Sequence, residues 1–157
     1  MLLGSLLAGM AFANAGTGIV HALQYPLGAR TKTAHGLGNA LLLPTAMSFN
    51  AEVRSQQFSR IAVALGAPPT AESAIAAVRV LANDLDIPAN LQGIGVAESD
   101  LVEMAAQAIG IERLIRLNPR PVTVSDLQSI VRDAWHGHPA QPTAAAPASP
   151  SGRQSQP

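Results

Sequence analysis

Residues 9–50 read GMAFANAGTGIVHALQYPLGARTKTAHGLGNALLLPTAMSFN. Two histidines, His21 and His35, stand in this Gly- and Ala-rich run, whose only charged side chains are Arg30 and Lys32. Residues 1–14, which overlap its start, are apolar nearly all round, the pattern expected of a tightly packed, fully buried helix. Gly16 and Gly18 interrupt that pattern. A second helix is expected from residue 17 toward Tyr25, ending at Pro26-Leu27-Gly28. The polar residues 29–34 read as a loop. A third helix is expected from near His35 through Leu41, Leu42 and Leu43, with Pro44 kinking it or marking its boundary.

Downstream, every long periodic segment is helical in character. Phe58, Ile61, Ala62 and Leu65 recur at helical spacing, and Gly66 with Pro68 stops that helix. Thr70 is placed to cap a helix carrying Ile75, Val78, Leu81, Ala82 and Leu85 on one side. Leu101, Met104, Ala105 and Ala108 form another stripe, ended by Gly110. Thr123 and Asp126 have the spacing of a capping box, followed by Leu127, Ile130, Val131 and Ala134, with Gly137 and Pro139 closing the element. No segment alternates apolar and polar residues as a half-buried strand does. The expectation is an all-α helical bundle of about six or seven helices over residues 1–137. Pro, Ala, Ser and Gln dominate residues 138–157, which lack large apolar side chains and are expected to form a disordered tail.

Composition narrows the possible functions. The 157 residues are 48% hydrophobic but only 3% aromatic, so the core must be built from Ala, Leu, Ile and Val. The formal net charge is +0 and the charged fraction 13%, leaving no basic stripe for a nucleic-acid backbone. There is no cysteine, hence no disulfide and no thiolate metal site. The apolar N-terminal run is too short for a membrane span. Ala13-Asn14-Ala15 resembles a small-x-small cleavage site, but no basic residue precedes Gly4 as a secretory signal requires. A small secreted protein cleaved after Ala15 therefore ranks last among the readings, and a cytoplasmic location is expected.

The chemistry rests on the histidines. Neutral imidazole suits Fe, Zn and Ni. His21 and His35 are 14 residues apart, too far to share one helix turn, but a helix and the start of the next helix can bring them together across the intervening loop. The other reading of such residues is a buried imidazole hydrogen-bonded to a carbonyl, and spacing leaves both open. His136 and His138 flank Gly137 and read as a solvated helix end.

The runs VHALQYPLG (20–28) and HGLGNALLLP (35–44) resemble the paired signature of the iron-dependent alcohol dehydrogenases, and Asn118-Pro119-Arg120-Pro121 is similar to that family's late NPR turn. The resemblance extends over residues 2–135. It implies the C-terminal helical, metal-binding domain of the dehydroquinate synthase-like fold. It also implies that His21 and His35 are ligands of Fe2+ (or Zn2+), and that the activity is alcohol oxidation, or aldehyde or ketone reduction, by hydride transfer with NAD(P).

Many members of that family carry a histidine where this chain has Tyr25, four residues after His21 and so on the same helix face. A catalytic or substrate-binding hydroxyl and a locally satisfied tyrosine are both open there. Phe12 stands where the family places an aromatic near the substrate, with core packing as the alternative. Gly36 either permits close backbone approach to the metal or only starts a helix.

Two features of the family are missing. Its nucleotide-binding domain, and an Asp-x-x-x-His pair supplying two further ligands, lie upstream of this segment, and no Asp-x-x-x-His precedes His21. The expectation is a domain that is inactive by itself and works with a missing N-terminal domain or as a homo-oligomer. The alternative is a non-catalytic interaction module or remnant that docks to a partner.

Overall fold

The structure is a computed structural model that describes residues 1–137; the expected tail, 138–157, and His138 with it, lie outside the described residues. Among those residues there are seven α-helices and no strand: α1 (Leu2–Ala15), α2 (Ile19–Thr31), α3 (His35–Ala64), α4 (Ala71–Asp84), α5 (Leu101–Ile109), α6 (Glu112–Ile115) and α7 (Val124–His136). Two short 3-10 turns, Gln92–Ile94 and Glu98–Asp100, lie between α4 and α5.

The main core gathers where α2, the first half of α3, α5, α6 and α7 meet. Ile19, Leu23, Leu27, Leu42, Met104, Leu127 and Val131 are all fully buried there. The stripes read from α5 and α7 face it residue for residue: Leu101, Met104, Ala105 and Ala108 on one helix, Leu127, Ile130, Val131 and Ala134 on the other. A second, smaller cluster sits between α3 and α4, with Met47, Ala62, Ala74 and Ile75 buried. Both expected caps are present. The Thr70 hydroxyl accepts from Ser73 N–H at 3.0 Å, and Thr123 and Asp126 form a reciprocal capping box.

Four expectations are corrected. First, α1 is not buried: no residue of it reaches the core, and Leu2, Leu3, Leu6, Leu7, Met10 and Phe12 are exposed. Its apolar residues report a surface without cover in this chain. Second, α2 does not stop at Pro26 but runs to Thr31, so the loop shrinks to three residues, 32–34. The Pro26 ring is itself buried, and that packing offsets the backbone hydrogen bond a proline removes. The helix ends instead where Lys32 turns left-handed, with φ of 57°.

Third, Pro44 lies inside α3 without ending it. The break comes at Arg54, whose φ of −134° and ψ of 25° leave the helical region. This bend turns Ala62 and Phe58 toward α4. Fourth, the stripes on the far half of α3 and on α4 are only half used. Ala62 and Ile75 are buried, whereas Ile61, Leu65, Leu81 and Leu85 are exposed. No single helix is long and apolar enough to cross a membrane among the described residues; α1 and α2 reach that length only as a pair bent by 104°.

Candidate metal centre

The shortened loop decides the site. His21 lies in the first turn of α2, and His35 is the first residue of α3. The antiparallel return across residues 32–34 brings the two imidazoles together with ring centroids 5.0 Å apart at 63°. The helices approach closely because Gly38 faces Gln24 and Leu27: a Cβ there would lie 3.1 Å from Gln24 Cγ and 3.3 Å from Leu27 Cδ2. His35 is exposed at the mouth and His21 is half-buried beneath it.

The two rings are held differently. His35 Nδ1 lies 2.7 Å from Gln24 Oε1, and a carbonyl oxygen only accepts, so Nδ1 carries the hydrogen. His21 Nε2 meets the Asn39 amide at 3.4 Å, while His21 Nδ1 and Asn39 Oδ1 are buried without a partner. Burial, and then the charge of neighbouring His35, push the His21 imidazole below its ordinary pKa. The ring is thereby kept neutral near pH 7, the protonation state a metal ligand must have.

Tyr25 extends the site outward. Its ring lies 6.4 Å from that of His35, its side chain is exposed, and Arg113 donates to its hydroxyl at 3.4 Å. Phe12 does not join this group: it is 56% exposed on α1, and among the described residues the close ring pairs are His21–His35, Tyr25–His35 and Trp135–His136. Gly36 has open space where a Cβ would be, so close backbone packing does not account for it. His136 is the exposed last residue of α7, beside Gly137 at φ 74°, a helix end as expected.

Two imidazoles supply nitrogen donors suited to Fe2+ or Zn2+, and the buried His21 Nδ1 and Asn39 Oδ1 lack the polar partner that a neighbouring group would supply. No cluster of three or more His, Cys, Asp or Glu able to hold a metal exists among the described residues. Gln24, Asn39 and Arg113 were not singled out from the sequence. The signal for the first two was present, since each is a neutral polar side chain inside an otherwise apolar motif, and a buried polar group needs a partner.

The NPR turn has a structural task. Asn118 and Asn50 exchange two amide hydrogen bonds, at 2.9 and 3.0 Å, and Asn118 also donates to the Arg120 carbonyl at 2.8 Å. Arg120 donates to the Phe49 carbonyl at 3.1 Å and lies 4.3 Å over the Phe49 ring. The turn thus latches the start of α7 onto α3.

This two-histidine helical domain belongs to the Fe-containing alcohol dehydrogenase family, whose C-terminal region residues 1–135 match. Among its relatives, lactaldehyde reductase of Escherichia coli (strain K12) is 36% identical over 142 residues, covering 86% of this chain and 37% of that protein. The 1,3-propanediol dehydrogenase of Klebsiella pneumoniae is 38% identical over 142 residues, covering 86% and 36%. A solved 1,3-propanediol oxidoreductase superposes with a TM-score of 0.79 at 38% identity, covering 83% of this chain and 36% of that one. The alcohol dehydrogenase from Oenococcus oeni gives 0.74 at 34% identity, covering 82% and 35%. The chain therefore spans little more than a third of the length of these relatives.

Proposed function

We propose that this domain supplies half of the metal centre of an NAD(P)-linked alcohol dehydrogenase, one that interconverts small alcohols with aldehydes or ketones. The observation that carries the reading is the convergence of His21 and His35, 5.0 Å apart, in a chain of this family. Both imidazoles would hold a divalent Fe2+ or Zn2+. When bound, the metal supplies Lewis-acid polarisation of the substrate oxygen. His35 is held by Gln24, and burial keeps His21 in the neutral form that can offer a lone pair. Tyr25, exposed and steadied by Arg113, offers a hydroxyl that can hydrogen-bond a substrate or water on the same face. Phe12 takes the substrate side only if α1 is covered by another segment, because in this chain it faces solvent.

Two protein ligands are fewer than the three usual in a catalytic zinc site, so the remaining ligands and the nucleotide-binding surface are assigned to a further polypeptide segment. The purified 157-residue chain should bind Zn2+ weakly and show negligible NAD-dependent alcohol oxidation. His21→Ala and His35→Ala should each abolish the residual Zn2+ binding measured by calorimetry. Equal metal content in all three proteins would remove the ligand assignment. Appreciable turnover by the chain alone would remove the half-site reading.

The exposed apolar face of α1 supports a second reading, a helical docking module without catalysis. It differs in the outcome of adding a separately produced nucleotide-binding half: association without any alcohol oxidation.

A further inference from the structure

Gln24 is buried at 4% exposure in the heart of a helix pair whose other buried side chains are almost all apolar. A glutamine there needs a reason, since burying an amide without a compensating hydrogen bond is costly. Its carbonyl oxygen sits 2.7 Å from His35 Nδ1. The space it occupies is cut to its shape by two glycines. A Cβ at Gly28 would lie 2.9 Å from Gln24 Nε2, and one at Gly38 would lie 3.1 Å from its Cγ and 3.4 Å from its Nε2. Gly28 is on α2 and Gly38 on α3, so the amide is confined from both helices.

We propose that Gln24 is a positioning residue that holds His35 as its Nδ1–H tautomer and thereby turns a bare Nε2 lone pair toward the metal. Neutral histidine free in water favours the opposite tautomer, with the hydrogen on Nε2. Without Gln24 the ring would present a hydrogen where a ligand needs a lone pair. A hydrogen bond at the far nitrogen also fixes ring orientation and raises the basicity of the coordinating one. Gly28 and Gly38 belong to the same device, because any side chain on either would push the amide off its line to His35. Their glycine identity then follows from the space Gln24 needs; neither glycine has a positive φ. The proposal rests on His35 being a ligand.

The test begins with the metal-free chain. Long-range nitrogen–carbon NMR correlations, recorded at a pH where both rings are neutral and assigned by His21→Ala and His35→Ala, report the tautomer of His35. Wild type should show Nδ1–H at His35. Gln24→Leu, close in volume but unable to accept, should swing His35 toward Nε2–H. Gln24→Glu, which accepts but cannot donate, should retain Nδ1–H. Gly28→Ala leaves Gln24 in the sequence and favours helix, yet should shift the tautomer by displacing the amide. It keeps the test open should Gln24→Leu fail to fold.

Zn2+ titration of the same proteins should show affinity falling about tenfold or more in Gln24→Leu and returning in Gln24→Glu, the size seen for outer partners of metal-bound histidines. Nε2–H at His35 in the wild type, or a tautomer ratio indifferent to Gln24→Leu, overturns the proposal. A tautomer that swings while Zn2+ affinity stays constant overturns it as well, and places the fault in the assignment of His35 as a ligand.

Discussion

The Asn50–Asn118 pair should be among the strongest polar ties in the fold. The side chain of Asn118 makes three hydrogen bonds, two with Asn50 and one to the Arg120 carbonyl. Asn50 is 9% exposed, so its amide has little access to water once its partner is gone. At about 1 kcal/mol per bond, with a further 1 kcal/mol or so for a stranded buried amide, Asn118→Ala should cost about 4 kcal/mol. Asn50→Ala removes two of the same bonds and leaves Asn118 its tie to Arg120, so it should cost about 2–3 kcal/mol. The double variant strands nothing and should cost no more than Asn118→Ala. The two sites would then be coupled by at least about 2–3 kcal/mol. Urea unfolding followed by helical circular dichroism, with the fluorescence of Trp135 as a second probe, measures all three variants. Costs that simply add, or a loss below about 0.5 kcal/mol for Asn118→Ala, would show that the latch does not hold α7 to α3.

Three further outcomes follow from the packing. Met104→Ala, at a fully buried position, should cost about 2–5 kcal/mol in the same unfolding assay; a loss within about 0.5 kcal/mol would place α5 outside the main core. Leu6→Gln with Leu7→Gln on exposed α1 should leave stability within about 0.5 kcal/mol, and a loss above about 1.5 kcal/mol would mean that α1 is covered within the folded chain. At α7, the Asp126 carboxyl is held below its usual pKa first by the Thr123 hydroxyl and then by the Thr123 backbone N–H. A depressed folded value contributes stability above the unfolded value of about 3.9, and loses it as pH falls through the folded one. Asp126→Asn should flatten that acid limb, and Thr123→Ala should cost about 1 kcal/mol at neutral pH; an unchanged acid limb would separate the carboxylate from the cap.

The elements legible in the sequence were those whose signals are local. The Thr70 cap, the Thr123–Asp126 box and the stripes of α5 and α7 are written in spacings of three and four residues, and the chain folds as those spacings direct. The start of α3 at His35 was legible too. The breaks were not. Pro26 and Pro44 are punctuation in most helices, yet here both lie buried inside continuous ones. The real interruption falls at Arg54, where neither Gly nor Pro marks it. Beyond that bend Phe58 and Ala62 pack against α4, a contact between segments that no window of sequence contains.

Burial shows the same divide between local pattern and long-range contact. The large apolar residues of α1 are about as dense as those of α5, but Leu101 and Met104 are buried while Leu6 and Leu7 face solvent. An apolar pattern states that a surface needs cover; it does not state which polypeptide provides it. The candidate site divides in that way as well. His21 and His35 were identified through resemblance, and the fold then sets them together. Gln24 and Asn39 carry no periodic signal: a neutral polar residue in an apolar motif marks the need for a partner, but not which ring it will face. Under the proposed function, one neighbouring segment would both complete the coordination sphere and close over α1. Adding a nucleotide-binding half should therefore protect the α1 amides from hydrogen exchange and tighten Zn2+ binding together, and protection without tightening would separate the two.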